Sequence, residues 1–192
     1  MKISDSVGNP RQLLSPFDRP DREVTMFHMR RDLDKFEPDK PMPFGYRIEQ
    51  WYEPMLPAYA AVLAASFASS PELQIYPRLS SKEGCIELMK ELSTMPNFFS
   101  GASWLILYYK EPAAAIISSR GANHGDGRIE TIAVTPRHRE VEVGSQLLSK
   151  ALWAFKDHHF KRVEFRIDRA NREVIRFFRR AGFYVESSET YL

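Results

Sequence analysis

The stretch Ile129 to Phe183, IETIAVTPRHREVEVGSQLLSKALWAFKDHHFKRVEFRIDRANREVIRFFRRAGF, decides how the chain folds. It reads strand, helix, strand, helix. A strand from Arg128 ends at Val134, and Val143, Leu147, Leu148, Ala151, Leu152 and Phe155 then recur at helical spacing. Lys161 to Ile167 is a second strand, and Asn171 to Ala181 a second helix, ended by Gly182. A strand–helix–strand crossover makes the two strands parallel neighbours with a right-handed connection. Between the first strand and its helix lie a Pro136 turn and Gly144-Ser145. The first-turn amides of a helix have no internal partners and carry the positive end of its dipole. Gly144 permits close backbone approach, so a phosphate suits this helix start.

Outward from that segment the alternation continues. Phe183 to Tyr191 is a closing strand; upstream come a strand at Tyr46 to Trp51 and a helix at about Met55 to Ser69. A helix at about Ser81 to Met95, with the Ser80-Ser81 pair as cap, precedes strands at Ser103 to Tyr109 and Ala113 to Arg120. Lys110-Glu111-Pro112 joins those two as a hairpin. Hairpins followed by strand, helix, strand, helix, strand imply an α+β, or mixed α/β, fold: a mixed sheet with helices on both faces. Six of the thirteen prolines fall before residue 45, so residues 1–44 read as a leader and 45–192 as the compact domain. Within the leader, residues 23–33 alternate apolar and polar and read as a strand in need of a sheet.

Composition excludes several classes. The 192 residues are 43% hydrophobic and 27% charged, which rules out disorder. The net charge of +2 gives no global argument for nucleic acid or membrane. It is unevenly spread: from Arg128 to Gly182, thirteen Lys/Arg against seven Asp/Glu leave +6, and the rest of the chain carries −4. The N-terminus lacks a signal peptide's apolar core, and the most apolar segment, Met55 to Ala68, is too short to span a membrane. Cys85 alone excludes an internal disulfide and reads as a packed residue in a reducing, cytoplasmic protein. His158-His159 read as partners of the last carbonyls of a helix rather than as metal ligands, and no metal is expected.

The segment resembles the GNAT superfamily of acyl-CoA-dependent N-acyltransferases, whose signature is V-x-P-x-x-R-x-x-G-x-G at a helix start and later N-x-x-A-x-x-F-Y-x-x-x-G-F. Here these read Val134, Pro136, Arg139, Glu142 and Gly144, then Asn171, Val174, Phe177, Phe178, Gly182 and Phe183. The resemblance implies a GNAT-like twisted sheet and acetyl-CoA as acyl donor. It places Ile132-Ala133-Val134 along the pantetheine arm, with backbone groups offered by Ile132 and Val134. Arg139 and the amides of Glu140, Val141, Glu142, Val143, Gly144 and Ser145 would hold the pyrophosphate. Asn171 would face the pantetheine or the reacting centre, and Phe178 would stand near the thiolate leaving group. Glu130 resembles the position of the general base in several family members; read on its own it is an outward-facing, solvated strand carboxylate.

Two positions depart from the pattern. Glu142 replaces the first glycine of the turn, its carboxylate either facing the phosphates and repelling them or facing outward at the helix start. Phe178 replaces the usual tyrosine and cannot donate a proton, which leaves Tyr184, Tyr191, an unassisted thiolate or lost catalysis. The expected function is transfer of an acetyl group to a primary amine on a small molecule or peptide by direct attack. The alternative is a catalytically silent GNAT-like domain that binds CoA or a protein partner. A nucleic-acid accessory role for Arg166 to Arg180 is the weakest reading, and no nucleic-acid or membrane partner is expected. The acceptor would lie between Ser70 to Ser80, with Tyr76 and Arg78, and the Gly121 to Gly127 side of the sheet. Finally, after Gly182 only one strand remains where the family usually has two. The leader strand, Val24 to Leu33, is expected to supply the missing one beside the C-terminal strand, within the chain or across a homodimer.

Overall fold

A computed structural model describes residues 23–36, 42–139 and 141–191. Seven strands form one mixed sheet: β1 (Val24–Asp32), β2 (Tyr46–Gln50), β3 (Trp104–Tyr108), β4 (Glu111–Arg120), β5 (Asp126–Val134), β6 (Arg162–Asp168) and β7 (Tyr184–Tyr191). Their order across the sheet is β2-β3-β4-β5-β6-β1-β7. Four helices, α1 (Leu56–Phe67), α2 (Lys82–Thr94), α3 (Val143–Asp157) and α4 (Arg172–Arg180), cover it on both sides.

Each face has its own core. Leu147, Leu148, Ala151, Leu152 and Phe155 of α3 pack on Ile106, Ala114 and Ile116, and the same cluster takes in Ile175 and Phe178 of α4. On the other face Tyr59, Leu63 and Met89 of α1 and α2 meet Leu105, Ala115 and Ile117. Covered twice, β4 is apolar at nearly every position from Ala113 to Ile117, whereas a one-sided strand would alternate. Of the two serines expected to cap α2, Ser81 does so, accepting from the Gly84 amide at 3.0 Å.

The leader strand does not extend the β2 edge. β1 lies between β6 and β7, antiparallel to both, with Met26 opposite Asp168 and Glu189 and Met29 opposite Phe165 and Val185. The pairing is made within the chain. It follows from sequence: β1 carries apolar Phe27 and Met29 toward the α3–α4 face and polar His28 and Arg30 toward the other, which matches the alternation of β6.

The crossover through α3 does make β5 and β6 parallel, over four residue pairs only, from Asp126↔Arg162 to Ile129↔Phe165. At the closed end of this pair Arg162 donates from Nε and Nη2 to the two oxygens of Asp126, at 3.0 and 3.3 Å. Beyond Ile129 the strands part.

Candidate active site

The parting of β5 from β6 begins at a β-bulge. Opposite β4, Ser118 pairs with Ile129 and Ile117 with Thr131, so Glu130 is the extra residue. An inserted residue bends its strand and strengthens the twist. The resulting V opens into a cleft of about 650 Å³, counted to its solvent mouth, with Glu130 and Ile132 on one lip and Arg166 and Asp168 on the other. Phe67, the last residue of α1, and Tyr76, in the connection to α2, also line it.

Glu130 is 7% exposed rather than solvated, and the Ser119 hydroxyl donates a hydrogen bond to its Oε1. A buried carboxylate on a cleft wall, held by a neighbouring hydroxyl, can accept a proton from a group bound beside it.

Backbone groups line the same lip. The Thr135 amide donates to Ala113 O at 2.9 Å, so Thr135 and Ala133 face β4 and, by strand alternation, Ile132 and Val134 face the space that β6 has vacated. At the end of that lip stands the N-terminus of α3. The Glu142 carbonyl accepts from Gln146 at 3.1 Å, so the amides of Val143, Gly144 and Ser145 form the first turn of the helix, which has no partner within it. Gly144 sits so close to the strand end that a Cβ there would meet Val134 Cγ2 at 3.3 Å. A strand edge with free amide positions leading to a helix N-terminus accommodates an extended amide chain ending in phosphates. Glu140 lies outside the described residues. Val141 is exposed, Val143 buried, and Ser145 half-buried.

Glu142 takes the left-handed conformation, φ 57° and ψ 3°, that a glycine would adopt without steric penalty. Its side chain is exposed and makes no capping hydrogen bond, so of the two readings the outward one fits this structure.

Three other expected ligands have protein partners here. The Arg139 guanidinium donates from Nη2 to Ser66 O at 2.7 Å and from Nε to Val134 O at 3.3 Å, bridging the end of α1 to the end of β5. Asn171 caps α4: its Oδ1 accepts from the Val174 amide at 3.1 Å, while Nδ2 donates to Glu72, which Ser70 also holds. Phe178 is 0% exposed and stacks on Phe165 with centroids 3.9 Å apart and planes 9° apart. It stands one layer behind the cleft wall. Of the tyrosines considered, Tyr184 is exposed outside the cleft and Tyr191 accepts from Arg166 at 3.3 Å. Arg78 turns away to pair with Glu91 at 2.8 Å, and Cys85 is buried on α2, where burial pushes its thiol up to about 11. His158 Nδ1 lies 2.8 Å from Ala154 O at the end of α3.

Glu72 and Tyr76, from the Ser70 to Ser80 stretch expected at the acceptor, line the cleft, whereas Arg128, Arg166 and Asp168 escape sequence reasoning as cleft residues. A signal existed for these three. Arg128 and Glu130 on β5, and Glu164, Arg166 and Asp168 on β6, put charge at every second position of strands that lie inside a sheet. Interior strands covered on both faces read as continuous apolar runs, so this alternation marks an uncovered face.

His138, in the turn after β5, is buried and its Nδ1 lies 2.7 Å from the Tyr46 hydroxyl. Burial, with Arg137 nearby, holds its pKa below the usual histidine range. Among the described residues no helix is long and apolar enough to cross a membrane.

A family model described as "Acetyltransferase (GNAT) family" matches residues 72–183. No curated protein matches this sequence. Among solved structures, a GCN5-related N-acetyltransferase from Sphaerobacter thermophilus superposes with TM-score 0.67 at 18% identity, over 88% of this chain and 51% of that one. Ard1 from Thermoplasma volcanium gives 0.60 at 20% identity over 74% and 85%. PaiA N-acetyltransferase from Thermoplasma acidophilum, in complex with coenzyme A, gives 0.59 at 15% identity over 76% and 99%. The chain thus spans about half the length of the Sphaerobacter protein.

Proposed function

The chain belongs to the GNAT acetyltransferase family, and we propose that it transfers an acetyl group from acetyl-CoA to a primary amine by direct attack. The observation that carries this reading is the buried carboxylate of Glu130 at the bulge from which the β5–β6 cleft opens. Acetyl-CoA supplies the thioester carbonyl that the amine attacks. The edge of Ile132 and Val134, with Ala133 between them turned to β4, pairs with the pantetheine amides once Arg139 has released the Val134 carbonyl. The α3 amides from Val143 to Ser145, with Arg139, hold the pyrophosphate; Val141 and Glu142 shape the turn before them. To reach the phosphates the Arg139 guanidinium exchanges the carbonyls of Ser66 and Val134 for them, a trade of neutral acceptors for charged ones. Glu130 takes the ammonium proton, with Ser119 fixing which oxygen presents to the amine.

Thiol release from acetyl-CoA with a library of primary amines tests the reaction, and calorimetry with acetyl-CoA tests the site. Turnover that needs an amine and is lost in Glu130→Gln is expected; acetyl-CoA binding without turnover on any amine would overturn it.

A second reading, a silent domain that binds CoA, has two observations behind it. The position usually held by the proton-donating tyrosine is Phe178, locked in the core, and Asn171 spends both polar ends on α4 and Glu72.

A further inference from the structure

We propose that Arg139 latches the α1 end of the cleft wall in the free protein, and that acetyl-CoA, by drawing the guanidinium onto its pyrophosphate, unfastens that wall. The inference rests on the acetyltransferase reading and adds to it a coupling between the cofactor side of the cleft and the side where the acceptor is expected.

The last carbonyls of a helix have no partner within it and favour a nearby cation. The last turn of α1 carries no basic residue of its own. Arg139 supplies the charge from 73 positions away, donating from Nη2 to Ser66 O at 2.7 Å. Phe67, the next residue, lines the cleft, and from it the chain runs through Ser70, whose amide donates to Phe67 O at 2.9 Å, to Glu72 and Tyr76 on the same wall. The far part of this wall is anchored: Ser70 and Asn171 both donate to Glu72, and Ile75 is buried against Val24 and Met26. The near part, the final turn of α1, lies beyond Leu63, the last fully buried apolar residue of the helix, and is tied across to β5 by Arg139.

Two features make this tie releasable. Arg139 is exposed, so its guanidinium turns toward the cleft mouth without leaving a packed site, and phosphates offer it charge-assisted bonds in place of two neutral carbonyls. The Ser66 hydroxyl is buried and has no hydrogen-bond partner. A buried unpaired hydroxyl is unfavourable, and opening the turn to water relieves it, so the closed turn is only weakly preferred. A ligand shifts such an equilibrium only through contacts that differ between the two states, and here those contacts are the two hydrogen bonds of Arg139. The coupling is reciprocal: whatever holds the turn closed weakens acetyl-CoA.

Hydrogen–deuterium exchange of residues 64–75, read by mass spectrometry with and without saturating acetyl-CoA, tests this. A bound ligand ordinarily slows exchange around its site. Here acetyl-CoA should speed exchange of the amides from Phe67 to Leu73 by about fivefold, the factor that one hydrogen bond of ordinary net strength supplies. Arg139→Ala should exchange fast there without ligand and show no further rise when acetyl-CoA is added, with circular dichroism confirming its fold. Ser66→Ala, which removes the unpaired hydroxyl, should exchange more slowly than wild type and bind acetyl-CoA roughly two- to fivefold more weakly in calorimetry. Exchange that falls or stays level when acetyl-CoA binds, a slowly exchanging Arg139→Ala, or a Ser66→Ala that matches wild type in both measurements overturns the inference and leaves the acetyltransferase reading standing. Faster exchange on binding with no thiol release on any amine supports the inference and overturns that reading, and a protein that does not bind acetyl-CoA overturns both.

Discussion

Replacing Glu142 by glycine and, separately, by alanine dissects the one position where the turn before α3 departs from glycine. The residue is left-handed at φ 57° and exposed, and it precedes the first turn of the helix. A left-handed conformation costs a residue with a Cβ about 1–2 kcal/mol. Glycine removes that strain but returns roughly 0.5–1 kcal/mol through the greater freedom of the unfolded chain. Either substitution also forfeits the attraction between carboxylate and helix dipole, about 0.3–1 kcal/mol at an exposed site. Glu142→Gly is therefore close to neutral in stability, while Glu142→Ala, which keeps the strain and loses the charge, is destabilised. The two variants should differ by about 1 kcal/mol, or roughly 2–4 °C in Tm for a chain of this size. Ligand affinity follows a different pattern. The carboxylate lies next to the amides assigned to the pyrophosphate, and two unit charges about 7 Å apart in water repel by roughly 0.6 kcal/mol before screening by salt. Both variants should bind acetyl-CoA about two- to fivefold tighter at low salt, with the gain shrinking as salt rises. Thermal melts and calorimetry at two ionic strengths read these quantities. Equal Tm values for glycine and alanine would show that the left-handed backbone carries no penalty, and unchanged affinity in both would place the phosphates elsewhere.

The other expectations concern the base, the core and pH. Glu130→Gln should lower kcat by about 10²–10⁴-fold, the range for a general base, with a far smaller change in KM for acetyl-CoA; a fall confined to KM would count against the role. Phe178→Tyr should lose about 1–3 kcal/mol in chemical denaturation, because the added hydroxyl would be buried in an apolar stack; a stable, more active variant would return this position to the reacting centre. Gly127→Ala should cost about 1–3 kcal/mol, since its Cβ would fall 2.4 Å from the ring of fully buried Phe155; an unchanged Tm would refute that packing. For His28 and His138 burial is the largest cause of a pKa below the usual value of about 6.5, so the unfolded chain binds protons that the folded one does not. Stability should then fall as pH drops below about 6.5 and level off below the folded-state pKa, and His138→Gln should flatten part of that slope in urea melts from pH 5 to 8.

Much of this architecture is legible in the chain because it depends on local pattern. The α3 stripe from Val143 to Phe155 can bury only one face, and it does. The parallel crossover follows from that helix and the two strands flanking it. The alternation of β1 announces a strand, and the resemblance to a family that usually has two strands after the last helix, where one follows Gly182 here, implies its place. The chemistry is less legible because it depends on register and on long side chains. Glu130 is a bulge only because Ser118 and Ile117 skip it, a fact about the partner strand. Asn171 at a helix start serves a ligand or its own helix with the same atoms, and its sequence context fits both. Arg139 reaches two carbonyls on separate elements, which spacing along the chain cannot foretell. Arg128 and Arg166 stand 38 positions apart and meet only because β5 and β6 run side by side.

The place of β1 bears on how the molecule is made. Thr25 meets Thr190 hydroxyl to hydroxyl at 3.3 Å across 165 positions of sequence. On the ribosome the segment from Val24 to Asp32 emerges before either of its neighbours, β6 and β7, has been synthesised, and among the described residues β7 pairs with β1 alone. The sheet is therefore closed by the first- and last-made of its described strands together, a long-range step that slows folding and leaves a half-apolar strand awaiting partners throughout translation. Interrupted synthesis would yield a nascent chain with β2 to β5 assembled and β1 unclaimed, which is the form a chaperone or protease would meet.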